Sequence, residues 1–243
     1  MDNPQTFFGW VSFIFQQYGP AFIRGAGVAL YLAVIGTILG SVIGFFTGVV
    51  RTIPSGSHDS RVKRILLGIA KLLVRLYVWL FRGTPMMVQA MVIYYGAAQV
   101  FGMDLNPITA GLFIVSINTG AYMSETVRGG IQSVEKGQFE GATAIGMPHL
   151  MTMRLVVIPQ AFRNIIPQIG NYLISNIKDT SLLSVITVNE LFYASRSAAG
   201  TYFRYFEVFF ITCVIYLFLT TVTSALLNWV ERRMAGHKNY ELT

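Results

Sequence analysis

Long stretches of this chain carry no charged side chain. Four of them are long enough, or nearly so, to cross a bilayer core as helices, which takes about 20 residues. They cover 25–50, 83–103, 105–124 and 208–230. A fifth hydrophobic stretch, 164–188, contains Lys178 and Asp179. Only 12% of the residues are charged, about half the share in a typical soluble domain. The sequence therefore predicts an all-α integral membrane protein with five transmembrane helices.

The basic residues predict the orientation of these helices, because cytoplasmic loops of membrane proteins are enriched in Lys and Arg. Most of the Lys and Arg lie in or beside residues 51–82, 128–163 and 232–238. Because successive spans cross the membrane in opposite directions, these three regions lie on the same side of the membrane. The other side receives only Arg24, Arg196 and Arg204. This distribution predicts an outer N-terminus and an inner C-terminus. The net charge of +7 is then a topology signal, and no basic patch interleaved with aromatic residues indicates nucleic-acid binding.

The domain organisation follows from these spans. One transmembrane domain, 22–232, lies between an extracytoplasmic segment, 1–21, and a cytoplasmic tail, 233–243. The apolar and aromatic residues 7–22 lack the basic start of a signal peptide, so they are predicted to lie at the outer membrane interface. Residues 61–80 alternate basic and apolar side chains with helical spacing, which predicts an amphipathic helix on the inner surface that meets anionic headgroups.

Two local patterns refine the helices. Glycines recur every fourth residue in the first span, at Gly36, Gly40, Gly44 and Gly48. Such spacing lets helix backbones approach closely; packing inside the chain is favoured over a dimer seam. Thr84 and Pro85 are predicted to be the N-cap and first residue of the next helix.

A polar loop separates the third and fourth spans. Within it, 138–145 is predicted to be a short helix that ends at Gly146 and Pro148, a glycine-then-proline stop. A helix of about two turns is marginal in water by itself. We therefore expect this helix to dock on another protein.

The same loop resembles the EAA loop of ABC-importer permeases, in which EAA is followed by three residues, Gly, nine residues and I-x-L-P. The matching residues here are Glu140, Gly141, Ala142, Gly146, Val156, Ile158 and Pro159, with identical spacing. Gly141, Val156 and Ile158 depart from the pattern conservatively. Further motifs resemble the polar amino-acid branch of that family, and the likeness covers about 22–232. They are FRGTP at 81–85, GAY with Glu125 at 120–125, RGGIQ at 128–132 and KDTSL at 178–182.

The resemblance implies a type I ABC-importer transmembrane domain in a bacterial cytoplasmic membrane, crossed several times by the chain. It implies a cytoplasmic coupling loop at about 132–160, with Glu140, Gly141, Ala142, Gly146 and Pro159 as the ATPase-coupling residues. The implied partners are two ATP-binding subunits, an extracytoplasmic amino-acid-binding protein and a second permease subunit, identical or different. The implied function is ATP-driven uptake of polar or charged amino acids.

The fourth span in chain order carries a polar stripe about 80° wide on a helix. Its members are Asn164, Gln168, Asn171, Ser175 and Asp179. A polar stripe in a membrane must face protein or water. For Asp179, contact with a substrate cation is favoured over a structural pairing; for Lys178, a structural role is favoured.

The third span carries the facing candidates Asn118, Tyr122 and Glu125. For Glu125, pairing with Arg128 three residues later is an equal alternative. By resemblance, the amino acid is held between these two helices, so the substrate-binding candidates are Asn118, Tyr122, Glu125, Ser175 and Asp179.

Other chemistries find no support in the sequence. His58, His149 and His237 lack metal-ligand spacing, and Cys213 is the only cysteine. No P-loop motif is present, so no cofactor is expected on this chain, and ATP and magnesium belong to a partner ATPase. The rival interpretations are an ATP-independent transporter or channel, which lacks an inverted repeat here, and a membrane-embedded enzyme, which lacks a catalytic set.

Overall fold

The computed structural model describes residues 4–54 and 60–234, and within these ranges it is entirely helical, with no strand. A π-helical turn, Met153–Val157, joins α6 to α7, and a 3₁₀ segment, Thr180–Ile186, follows α7. The α-helices are α1 (Phe7–Thr52), α2 (Arg61–Gly83), α3 (Met86–Phe101), α4 (Pro107–Gln132), α5 (Lys136–Ala144), α6 (His149–Thr152), α7 (Ile158–Asp179), α8 (Leu191–Tyr202) and α9 (Tyr205–Met234).

The five hydrophobic stretches of the sequence all fall on helices, namely α1, α3, α4, α7 and α9. In the described part of the chain, α1 and α9 are long and apolar enough to cross a membrane by length and hydropathy alone, and α3 is a shorter apolar helix. Residues 164–188 do not form one helix, because α7 ends at Asp179 and the chain continues as the 3₁₀ segment.

Helix α1 differs from the sequence prediction. Residues 7–22 are not a separate segment; they form the first half of a continuous helix of 46 residues that runs through Pro20. This half has its own apolar partners, since Trp10, Ile14 and Phe22 pack against residues of α8 and α9 in one buried cluster. The helix therefore continues because its first half is covered by protein.

The four glycines of α1 pack against α4, as the sequence favoured. A Cβ added at Gly40 would lie 2.6 Å from Thr119 Cβ, and one at Gly48 would lie 2.6 Å from Val127 Cβ. Gly36 and Gly44 meet Val115 and Met123 in the same way. The stripe is thus an internal seam of this chain, which holds α1 and α4 at backbone distance.

The helical structure is interrupted between α2 and α3, at Thr84 and Pro85. Thr84 does not cap α3 as predicted; its hydroxyl donates to Leu80 O at the end of α2, and Pro85 is the N-cap. The carbonyls freed by the break are bound by side chains: Gln89 Nε2 donates to Thr84 O at 2.8 Å and to Phe81 O at 3.0 Å. A helix interrupted in this way keeps its backbone polar groups satisfied.

Helix α5 confirms the short helix predicted at 138–145, two residues longer at its start. It ends in a Schellman motif: Met147 N donates to Ala142 O, and Gly146 N donates to Thr143 O, with Gly146 at φ 80°. Glycine adopts this left-handed conformation without the Cβ penalty of other residues. The chain then reverses through α6 and the π-helical turn into α7.

Candidate functional site

A cavity of about 420 Å³ opens between the break at 84–86 and the helices α4 and α7. Its polar lining comes from Thr84, Asn118, Thr119, Tyr122, Tyr172, Ser175, Asn176 and Asp179. Asp179 is the only charged side chain among the described residues that line it. The cavity is therefore polar, acidic at one point, and of a size that holds a small ligand.

Four of the five predicted substrate residues meet in this cavity. Asn118 and Tyr122 approach from α4, and Ser175 and Asp179 approach from α7. Asn118 Nδ2 donates to Gln89 Oε1 at 2.9 Å and to Phe81 O at 3.3 Å. Both amide hydrogens of Asn118 are thereby used to hold the helix break, which leaves its carbonyl oxygen to accept a bond from a ligand.

The rest of the polar stripe on α7 does not reach the cavity. Asn164 Nδ2 donates to Ser133 Oγ at 3.0 Å, at the end of α4. Asn171 lines a separate cleft of about 330 Å³ against α9, and Gln168 is exposed. Only the last turn of the stripe faces the cavity, since α7 contacts different neighbours along its length.

Lys178 and Asp179 face different surroundings, as their adjacent positions on a helix require. Asp179 lines the cavity between α4 and α7. Lys178 lines a largely apolar cleft of about 390 Å³ beside Cys213 and Tyr216 of α9. The lysine therefore leaves the carboxylate of Asp179 open to a ligand cation.

Glu125 lies outside the cavity, in contrast to its place among the substrate candidates. Its carboxylate binds Arg51 Nη1 at 2.8 Å and Arg128 Nη2 at 2.7 Å, and Arg82 Nη1 lies 3.4 Å away. The alternative pairing with Arg128 is confirmed. The local sequence does not indicate the contact with Arg51, because Arg51 comes from α1, 74 residues away in the chain.

The sequence interpretation missed a buried polar contact at the base of the cavity. Asn176 Nδ2 donates to Thr37 Oγ1 at 2.8 Å and to Thr119 Oγ1 at 3.0 Å, which joins α7 to α1 and α4. Asn176 lies outside the polar stripe because it is turned 100° from Ser175 on the helix. Tyr172, at the edge of the stripe, shares a hydrogen bond of 3.1 Å with Thr126.

The candidate coupling residues form a projecting surface around α5. Glu140 and Gly141 are exposed, and Ala142 is buried at the base. Large apolar side chains stand out beside them: Ile145 is 77% exposed and Leu150 is 80% exposed. Pro159 is exposed in the first turn of α7. An exposed apolar patch of this kind indicates a protein interface.

The described residues contain no group of three or more His, Cys, Asp and Glu side chains able to hold a metal ion. His149 is exposed at the start of α6. His58 and His237 lie outside the described residues.

Comparison with known proteins identifies the family. Residues 64–236 match the family described as binding-protein-dependent transport system inner membrane component. The chain is 36% identical over 216 residues to the glutamine transport system permease protein GlnP of Escherichia coli (strain K12), covering 88% of this chain and 93% of that protein. It is 30% identical over 226 residues to the arginine transport system permease protein ArtQ of Bacillus subtilis (strain 168), covering 90% and 94%.

Two solved structures share the fold. A crystal structure of an amino acid ABC transporter with histidines superimposes with a TM-score of 0.79 at 37% identity, covering 90% of this chain and 96% of that chain. The MetNI methionine ABC transporter in an inward-facing conformation gives 0.70 at 18% identity, covering 88% and 95%, which shows the fold alone. The chain therefore belongs to the family of inner membrane components of binding-protein-dependent transport systems, in which it is a permease subunit.

Proposed function

We propose that this permease belongs to an ATP-driven importer of polar or charged amino acids and that the cavity between α4 and α7 binds the amino acid. The observation that carries this proposal is the convergence of Asp179, Ser175, Asn118 and Tyr122 on one cavity. Relatives named for glutamine and arginine transport, and a similar structure described as an amino acid ABC transporter with histidines, support the substrate class.

The polar groups suit the two ends of an amino acid. Asp179 would receive a substrate cation, either the α-ammonium or a basic side chain. The first turn of α3 begins at Met86, beside the cavity, and a helix N-terminus favours a carboxylate. Asn118 and Ser175 would complete the hydrogen bonds.

We further propose five membrane spans, an outer N-terminus and an inner C-terminus, which puts α5 in the cytoplasm. The break between α2 and α3 then lies at the inner end of the second span and beside the cavity; interrupted helices also surround the substrate in other transporters. The proposed assembly contains two ATP-binding subunits, which carry ATP and magnesium, a second permease subunit and an extracytoplasmic amino-acid-binding protein. The cytoplasmic loop that couples the permease to ATP hydrolysis is centred on Glu140 and Gly146.

Helix α5 is connected to the cavity through the chain segments that follow it. From α5 the chain runs through α6 and the π-helical turn into α7, which ends at Asp179. In its first half, α7 packs through Ala161 and Ile165 against Val127 and Ile131 of α4. When the ATPases close, they would therefore move α4 and α7, the two walls of the cavity, by a rigid-body motion. This motion would open the cavity to one side of the membrane and then to the other.

Reconstitution tests this function. Proteoliposomes with the permease, its ATPase and candidate binding proteins should accumulate a labelled amino acid from a panel only when ATP and magnesium are enclosed. An ATPase inactive in hydrolysis is the control. Transport by the permease alone, without ATP, would contradict the proposal and favour a secondary transporter or channel.

A further inference from the structure

A small cavity near the end of α1 is lined by cations alone. It has a volume of about 200 Å³, and its described lining consists of Arg51, Lys71, Arg75 and Arg128. These four side chains come from three helices, α1, α2 and α4. A larger cavity of about 510 Å³ shares Arg51 and Arg75 and extends to Arg82, Glu125 and Trp79. Together they form the arginine pocket.

Charge in the arginine pocket is unbalanced. Its five cations face one carboxylate, Glu125, which pairs with Arg51, Arg82 and Arg128. Lys71 Nζ donates to the backbone carbonyl of Ile53. In the part of the chain that the structure describes, no acidic group pairs with Arg75. Cations held this close repel one another unless an anion is added.

We propose that the arginine pocket binds the phosphate headgroup of an anionic phospholipid from the cytoplasmic leaflet. Guanidinium groups bind phosphate through paired, charge-assisted hydrogen bonds, and the guanidinium of Arg75 is the group in the small cavity that has no acidic partner among the described residues. Arg51 and Arg128 already bind Glu125, and Arg128 Nη1 also donates to Gln132 Oε1, so these two add mainly positive charge. The inference rests on the proposed orientation, which places the end of α1 at the inner surface, where anionic lipids concentrate.

The apolar face of α2 favours a lipid over a soluble phosphate. Leu72, Leu76 and Trp79 follow one another at i, i+4 and i+7, are 50% to 72% exposed and flank Arg75. A phospholipid supplies both an anionic head for the pocket and acyl chains for this face. Tryptophan at such a boundary is typical of membrane interfaces.

The lipid would also supply contacts that α2 lacks. Val78 is its only buried residue, and the helix leads directly into the break at Thr84 that lines the substrate cavity. A headgroup bound by Arg75 and attracted by the charges of Arg51 and Arg128 would tie α2 to the ends of α1 and α4. The pocket would thereby fix the position of one cavity wall.

Lipid preference at Trp79 tests the proposal. The full chain with Trp10→Phe and Trp229→Phe is reconstituted into phosphatidylcholine vesicles that contain phosphatidylglycerol, with bromine on the acyl chains of one lipid at a time. Quenching of Trp79 fluorescence gives the ratio of the two binding constants. We expect phosphatidylglycerol to be preferred by at least about fivefold, the effect of one cation near a membrane surface.

Two matched variants locate the preference. Arg75→Gln should lower the ratio about fivefold, whereas Arg61→Gln, at the start of the same helix and outside both cavities, should leave it unchanged. Arg75→Lys keeps the charge and should retain most of the preference, which separates lost binding from misfolding.

Three results would overturn the inference: equal quenching by both lipids, an equal ratio in Arg75→Gln and Arg61→Gln, or displacement of phosphatidylglycerol by millimolar glycerol phosphate, which identifies a free-phosphate site. The assay contains no ATP, ATPase or amino acid. A failure of the proposed importer function would therefore leave this measurement intact, and the reverse also holds.

Discussion

The position of Asp179 in a membrane protein has a large free-energy cost if the residue has no function. A carboxylate near the centre of a bilayer costs roughly 2.5–3.5 kcal/mol on insertion scales. Its neighbour Lys178 faces another cleft, and no salt bridge to Asp179 occurs in the described residues. A charge placed in a cavity without a protein partner is suited to a cationic ligand.

Replacing Asp179 by Asn should therefore weaken substrate binding selectively. We expect uptake to fall at least about tenfold, the loss of one charge-assisted hydrogen bond, and most for amino acids with cationic side chains. Labelled uptake in proteoliposomes measures the change. Lys178→Gln, the adjacent residue outside the cavity, is the control. An equal loss of all substrates together with loss of assembly would show that Asp179 is structural.

Glu125 has a structural role at the residue scale. Its carboxylate joins α1, α2 and α4 through three arginines, and its removal leaves those cations facing one another. Glu125→Gln should lower the free energy of unfolding by about 1–3 kcal/mol, between the values for exposed and buried pairs. Thermal unfolding in detergent measures it. Glu207→Gln is the matched control, since Glu207 has a single long contact of 3.6 Å to Arg204. An equal shift of the unfolding midpoint in both variants would contradict the role of Glu125 in joining the three helices.

The helix face on which a residue lies can be predicted from the sequence, because helical spacing determines it. The contacts of a residue with a distant helix cannot be predicted in this way. Asn118 and Tyr122 share one face of a helix by their spacing, and so do Ser175 and Asp179. The resemblance to ABC-importer permeases, and not the spacing, implies that these two faces meet. Glu125 and Asn176 each have a partner on α1, Arg51 for Glu125 and Thr37 for Asn176. Their contacts depend on how three helices cross, which local spacing does not encode.

At the scale of elements, α5 depends on the glycine that ends it. Gly146 has φ 80°, so Gly146→Ala should cost about 1–2 kcal/mol through Cβ strain and weaken ATPase binding. Gly137→Ala is the matched control: it lies within α5, is not one of the coupling residues, and an added Cβ meets nothing within 4 Å. It should stabilise the helix by up to about 1 kcal/mol. Co-purification with the ATPase compares them; equal retention would contradict the role of Gly146.

The seam between α1 and α4 gives a second test at this scale. Gly40→Ala places a methyl group 2.6 Å from Thr119 Cβ, so the two helices must move apart. We expect a loss of roughly 1–3 kcal/mol of stability, as for overpacked cores. Gly27→Ala, in the same helix with open space around it, should change little. Thermal unfolding distinguishes the two, and equal midpoints would mean that the seam is loose.

Elements were predicted well where hydrophobicity or glycine spacing is continuous. Each of the five apolar stretches contains a helix, although 164–188 continues past α7 as a 3₁₀ segment, and the short helix before Gly146 lies within two residues of its prediction. The continuity of α1 was missed because its first half is covered by α8 and α9, far along the chain. The sequence predicts an N-cap at Thr84, where the structure has a break between two helices. Backbone carbonyls at this break accept hydrogen bonds from Gln89 and Asn118. The local sequence does not reveal these contacts.

At the scale of the whole molecule, one helix connects the proposed coupling surface and the proposed substrate cavity. Helix α7 begins beside the coupling surface with Pro159 and ends in the substrate cavity with Asp179. Its two ends also differ in their neighbours: Ala161 packs on α4, whereas Gly170 packs on Leu227 of α9. Under the proposed function, a movement of α5 would reach the cavity along α7, which packs against both α4 and α9.

Glu140→Lys tests this connection. Glu140 is exposed on α5, away from the buried Ala142, so reversing its charge should leave folding and membrane insertion intact. If the ATPase docks there, a reversed charge at the contact should lower co-purification at least about tenfold, because like charges across an interface cost several kcal/mol. ATP-dependent uptake should be lost with it.

Asp104→Lys makes the same charge change on the exposed connection between α3 and α4 and should retain the ATPase fully. Unchanged co-purification and uptake in Glu140→Lys would show that α5 only connects α4 to α7 and that ATP hydrolysis acts on the permease elsewhere.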